Sequence, residues 1–119
     1  MIVMGPLLII VDDDTAAAHD LSHELAAFGF NVRGPARTLA DGRKLLQAEL
    51  PKIALVSTEF PDGENGLAFA HELRARGVHV IMMGDGPAGW TGAYIYKPIE
   101  ISSVVDLIAS GHDSALSGT

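Results

Sequence analysis

Three aspartates stand in a row at Asp12-Asp13-Asp14, directly after the aliphatic run Leu7 to Val11. Adjacent carboxylates at the end of an apolar run suit two kinds of chemistry: holding a hard divalent cation, or facing a cation across a polar cleft. Ser57 ends a second apolar run from Ile53, and Lys97 follows a third, Ala93 to Tyr96. A serine hydroxyl is a weak nucleophile unless a positioned base takes its proton, and no histidine follows any of these runs. His19 and His23 have the spacing that can grip a metal on a helix, but no third ligand accompanies them, so a solvated helix face is expected. His71, His79 and His112 are isolated. With no cysteine, a disulfide framework, thiolate chemistry and a Cys-type zinc site are excluded.

The chemistry-bearing residues are far apart in the chain, so the fold must gather them. Leu7 to Val11 is apolar on both faces, which predicts a central parallel strand covered on both sides. Asp14 or Thr15 caps a helix whose stripe is Leu21, Leu25 and Phe28, and Gly29 ends it. Asn31 to Arg33 is a short second strand, stopped by Gly34-Pro35. Thr38 opens a second helix with a stripe of Leu39, Leu45, Leu46 and Leu50, ended by Pro51. Ile53 to Val56 is the third strand, Leu67 to Arg76 the third helix, and Val78 to Met83 the fourth strand.

Gly84 to Gly92 carries four glycines and a proline, so no stable helix is expected there. Ala93 to Tyr96 is the fifth strand, and Ile101, Val104, Val105 and Ile108 mark a last helix ending at Gly111. Residues 1–111 are read as one domain and 112–119 as a frayed tail. Alternating strands and helices predict an α/β domain with a parallel sheet and right-handed crossovers. Ligand sites in such sheets lie at the carboxyl ends of the strands, which gathers Asp12, Asp13, Ser57, Gly84 and Lys97.

Composition narrows the function. The chain has 119 residues, 15 acidic and 8 basic, for a net charge of −7. Its basic residues are scattered, so no nucleic-acid surface is expected. At 48% hydrophobic, it is too apolar for a disordered tail. The apolar N-terminal run lacks a positive flank and contains Gly5 and Pro6, and no stretch reaches membrane-span length. A cytoplasmic domain, off the membrane, is expected.

The acid pair Asp12-Asp13, Pro61 after the third strand, and Lys97-Pro98 after the fifth occur in an ordered register. In that register the chain resembles the receiver domain of bacterial two-component response regulators over nearly its whole length. The resemblance implies a flavodoxin-like (βα)5 sandwich with a five-stranded parallel sheet of order 2-1-3-4-5. It also implies that the acid pair binds Mg²⁺ and that an aspartate ending strand three accepts a phosphoryl group from a histidine kinase. A Ser or Thr ending strand four would contact that group, the lysine would neutralise it, and a cis peptide would join Lys97 to Pro98. Phosphoryl transfer is mostly positioning and charge neutralisation, which is why these residue types converge.

The chain departs from that pattern at three places. Ser57 stands four before Pro61, where the phosphoacceptor aspartate belongs; Asp62 lies beyond the proline, and Glu59 is a neighbour rather than a replacement. Gly84 stands where the hydroxyl residue belongs, although Tyr94 matches the aromatic switch position. Thirteen positions separate Gly84 from Lys97, too few for the family's fourth helix, which is therefore shortened or lost. That loss puts Met82, Met83, Trp90, Tyr94 and Tyr96 near a surface, with Trp90, Tyr94 and Tyr96 as interface candidates.

The expected protein is thus an atypical receiver without catalytic residues, acting by protein–protein contact independently of phosphorylation. Asp12, Asp13, Ser57, Gly84 and Lys97 form its degenerate pocket. No cofactor is required, and Asp12 and Asp13 hold Mg²⁺ weakly at best, since the third carboxylate is missing. Expected partners are a histidine kinase, an output protein, another receiver or a second copy of the chain. The alternatives are a phosphorelay receiver with a non-standard acceptor at Ser57 or Glu59, and a small flavodoxin-like ligand binder. Against the latter, the Asp-rich turn replaces the Gly-rich loop that would cradle a phosphate.

Overall fold

A computed structural model describes residues 5–61, 63–84 and 89–117, with side chains through 110. The elements run β1 (Leu7–Val11), α1 (Thr15–Ala27), β2 (Asn31–Ala36), α2 (Leu39–Lys44), β3 (Ile53–Ser57), α3 (Gly66–Ala75), β4 (His79–Met83), β5 (Ala93–Ile95) and α4 (Ile101–Ser117). The five strands form one sheet of order β2-β1-β3-β4-β5, and every neighbouring pair is parallel. This is the order that the resemblance implies.

Alternation along each strand divides the core into two layers. Ile9, Val11, Val56, Val80 and Met82 face α2 and α3, where Phe69 and Leu73 close over them. Leu8, Ile10, Leu55, Ile81 and Met83 face α1 and α4, against Leu21, Leu25 and Val104. Each fully buried aliphatic or aromatic side chain contributes about 1.5–3 kcal/mol of transfer free energy. Both layers are needed because the central strands are apolar on each face.

The helix starts are fixed by short polar side chains. The Asp14 carboxylate accepts from the Ala17 N–H at 3.2 Å, the Thr38 hydroxyl from the Asp41 N–H at 3.0 Å, and the Asn65 side chain from the Leu67 N–H at 2.7 Å. The α1 stripe is Ala18, Leu21 and Leu25. Phe28, expected to extend it, is 59% exposed. It is the C-cap, one residue past the last helical turn, and so misses the sheet.

Two other elements differ from expectation. β2 continues through Gly34-Pro35 to Ala36, with a register irregularity opposite Ile9 to Val11. As an edge strand it tolerates a proline, which has no N–H to give to the ladder. α2 ends at Lys44, well short of Pro51, and Leu45, Leu46 and Gln47 continue with tighter i→i−3 bonds. Gly42 lowers the helix propensity of this segment but is needed for packing, because a Cβ there would stand 3.0 Å from Val11 Cγ2. Leu45, Leu46 and Leu50 still pack against the core.

Among the described residues no helix lies between β4 and β5. The sheet face that a helix would cover is instead closed by one indole. Trp90 is 8% exposed and joins the layer of Val80, Met82, Phe69 and Leu73. Its Nε1 donates to the Ala93 carbonyl at 2.9 Å, the His71 ring meets it edge-on at 5.3 Å, and the Arg74 guanidinium lies 5.0 Å from its ring centroid. The expectation that Met82, Met83 and Trp90 lie near a surface is therefore corrected. All three are buried: Met82 lies in one layer with Trp90, which folds back over that face from the short connection, and Met83 points to the opposite layer, among Leu21, Leu25 and Val104. At the other end, α4 passes through Gly111 to Ser117, where a stop at Gly111 was expected. A glycine inside a helix costs about 1 kcal/mol relative to alanine but does not by itself end it.

Candidate functional site

Strand register assembles the site. Val11 pairs with Val56, so Asp12 and Ser57 emerge side by side from adjacent strands; Ser57 pairs with Met83, and Met83 with Ile95. The next residues of β4 and β5 bring Gly84 and Lys97 to the same sheet end, and Lys97-Pro98 is a cis peptide. The strand-end grouping expected from the sequence is thus observed for Asp12, Ser57, Gly84 and Lys97. Asp13 lines the same cavity.

Asp12 is buried, and its backbone N–H donates to the Ala36 carbonyl at 2.9 Å. Its Oδ1 accepts from the Asp14 N–H at 3.1 Å. Lys97 Nζ reaches both carboxylate oxygens at 3.0 Å, and donates to Ser57 Oγ at 3.3 Å. Ser57 Oγ in turn donates to the Glu59 carbonyl at 3.3 Å. The buried side-chain oxygens of Asp12 and Ser57 therefore have partners, as a buried site requires.

This arrangement gives the Ser57 hydroxyl both an acceptor and a donor. The hydroxyl proton is directed at a carbonyl, and an oxygen lone pair accepts from the ammonium. Glu59 is exposed and lies at the rim of the cavity, and Asp62 lies outside the described residues.

The same donor set does not fit a Mg²⁺ site. Asp12 engages Lys97 through both oxygens, and Ser57 brings a neutral hydroxyl where a hard cation favours a carboxylate. Among the described residues no group of three or more His, Cys, Asp or Glu is placed to hold a metal. That includes His19 and His23.

A cavity of about 360 Å³ opens over this tip, lined by Asp13, Ser57, Thr58, Glu59, Phe60, Pro61, Gly84 and Lys97. Its β4 side is closed by a residue that sequence reasoning missed. Gly84 has φ +137°, and a Cβ built on it would overlap Thr58 Oγ1. Nothing in the spacing points to Thr58, because its role depends on a cross-strand contact. A larger groove of about 530 Å³ lies on the other side of Lys97, between α1 and Pro98-Ile99, with Asp14, Asp20 and Glu24 on its rim.

The aromatic switch position faces elsewhere. Tyr94 is 38% exposed and Tyr96 61%; their rings meet edge-on at 5.3 Å and their hydroxyls lie 3.2 Å apart. Of the three interface candidates, Tyr94 and Tyr96 are at the surface and Trp90 is not, since it fills the core of its own chain.

No family model matches the chain, and no curated protein does. Solved structures do match. A CheY-like response regulator receiver domain protein from Methanospirillum hungatei JF-1 superposes with a TM-score of 0.79 at 25% identity, covering 96% of this chain and 98% of that one. The response regulator PhyR from Brucella abortus gives a TM-score of 0.81 at 23% identity, covering 96% of this chain and 50% of that one. The receiver domain of Erythrobacter litoralis PhyR gives 0.76 at 20% identity, with 90% and 89% coverage. The chain thus has the flavodoxin-like fold of response-regulator receiver domains. No helix among the described residues is long and apolar enough to cross a membrane.

Proposed function

We propose that the chain is an atypical receiver module of two-component signalling that works by protein–protein contact and accepts no phosphoryl group. The observation that carries this reading is the Ser57 hydroxyl at the tip of β3, held between the Lys97 ammonium and the Glu59 carbonyl, each at 3.3 Å. A receiver's acceptor must be a carboxylate free to attack phosphorus, and here the charge that would receive a phosphoryl group is already balanced by Asp12. The module is not an enzyme, requires no cofactor and holds Mg²⁺ weakly at best. It works in the cytoplasm, and its partners are a histidine kinase, an output protein, another receiver or a second copy.

The exposed pair of Tyr94 on edge strand β5 and Tyr96 just beyond it supports a contact surface there. Incubation with acetyl phosphate and Mg²⁺, followed by intact-mass measurement, tests the reading. No phosphoryl adduct is expected. A stable, stoichiometric adduct overturns it, and mapping that adduct to Ser57 or Glu59 establishes the phosphorelay alternative.

A further inference from the structure

Thr58 is 8% exposed, and its backbone is tied on both sides. Its N–H donates to the Met83 carbonyl at 3.0 Å, and its carbonyl accepts from the Gly66 N–H at 2.9 Å. Its position is therefore fixed by β4 and by the start of α3. The side chain lies against the Cα of Gly84 so closely that residue 84 has no room for a Cβ. At φ +137° Gly84 also holds a backbone conformation that side-chain-bearing residues rarely adopt. The Gly84 N–H donates to the Ile95 carbonyl at 2.9 Å, and Lys97 follows two residues later. Lys97 then returns to Ser57, the chain neighbour of Thr58. These contacts form a closed ring: Ser57, Thr58, Gly84, Ile95, Lys97 and back to Ser57.

We infer that Thr58 is the positioning residue of this ring: its side chain fills the place of a residue-84 side chain, fixes the end of β4, and through Ile95 sets where Lys97 stands. The inference rests on the reading of the pocket as one permanently neutralised arrangement and names the residue that holds it. A side chain on β4 would move with β4. Thr58 instead ties the end of β4, through its N–H to Met83, to the start of α3, through its carbonyl to Gly66. Positions 58 and 84 compete for one volume, and that competition is measurable.

The test uses the full chain and four variants: T58S, T58A, G84A and T58A/G84A. T58S retains a γ oxygen against Gly84 and should keep the Gly84 amide as protected from hydrogen exchange as in the parent. T58A removes the wedge, and Gly84 amide exchange should quicken about tenfold or more while the β1 amides of Ile9 and Ile10 stay unchanged. The Lys97 side-chain resonances should shift with it, a response that general loosening of the core would not confine to this corner.

G84A should lower the melting temperature steeply while Thr58 is present. T58A/G84A should melt above G84A, because the alanine Cβ occupies the space that Thr58 leaves. This comparison stands even if T58A alone does not fold. The inference is overturned if G84A costs the same with and without Thr58, or if T58A leaves Gly84 and Lys97 unmoved. Neither result depends on the acetyl phosphate experiment, so failure of this inference and failure of the proposed function are separately visible.

Discussion

Removing one member of the Lys97–Asp12 pair should hurt far more from one side than from the other. The Asp12 side chain is 4% exposed and that of Lys97 35%. Lys97→Met leaves a buried carboxylate that keeps the Asp14 N–H as a donor but has lost its cation. Breaking a fully buried pair this way costs about 3–5 kcal/mol. The lysine end is partly solvated, so the attraction is already weakened, and about 2–3 kcal/mol is the better expectation. Asp12→Asn leaves an ammonium that can turn to water, and should cost about 0.5–1.5 kcal/mol, the net worth of an ordinary hydrogen bond. The double variant removes both charges and should return to within about 1 kcal/mol of the parent. Urea unfolding followed by circular dichroism gives all four corners of the cycle, and the midpoints are comparable while the slopes agree. Equal costs for the two single variants would refute the claim that Asp12 is the buried partner. A strictly additive double variant would show that the pair is not coupled at all.

Other consequences are simpler to check. Trp90→Ala should destabilise by about 3–5 kcal/mol, read by thermal unfolding, since it opens the core layer of Val80, Met82, Phe69 and Leu73 that the indole covers. Ser57→Asp adds a third carboxylate beside Asp12 and Asp13 and should raise Mg²⁺ affinity well above the parent's, followed by amide shifts in a Mg²⁺ titration. Asn65→Ala removes the α3 cap and should cost about 1 kcal/mol in urea unfolding. Replacing Tyr94 and Tyr96 together by serine should leave stability within about 1 kcal/mol, yet weaken self-association or partner capture in sedimentation or pull-down measurements.

Much of this molecule can be read from residue types alone, and the unread part has a common cause. Leu7 to Val11 and Ile53 to Val56 are apolar on both faces and declare themselves as central strands, and α/β alternation then brings Asp12, Ser57 and Lys97 together. Edge and surface elements were harder. β2 tolerates Gly34-Pro35 because its outer side has no ladder to satisfy, and beyond Lys44 the α2 segment tightens into i→i−3 bonds that the leucine stripe does not reveal. Trp90 is expected near a surface because a shortened or lost fourth helix would uncover the strands, and only its contacts with His71 and Arg74 of α3 show that it is the cover. Thr58 carried no signal either, since its significance lies in what Gly84 lacks.

The three departures from the receiver pattern are physically linked rather than scattered. Gly84 begins the connection in which no helix lies among the described residues, and the same connection supplies Trp90 to cover Val80 and Met82. Gly84 also makes room for Thr58, which sits next to Ser57 in the chain. A larger side chain at 84 would displace Thr58, disturb the β3 tip and move Ser57 relative to Lys97. A longer connection carrying a helix would compete with Trp90 for Val80 and Met82. Restoring any one feature by itself therefore works against the others, so reverting only the acceptor, with Ser57→Asp, should rebuild the pocket's charge without rebuilding the movement that a β4 side chain would report.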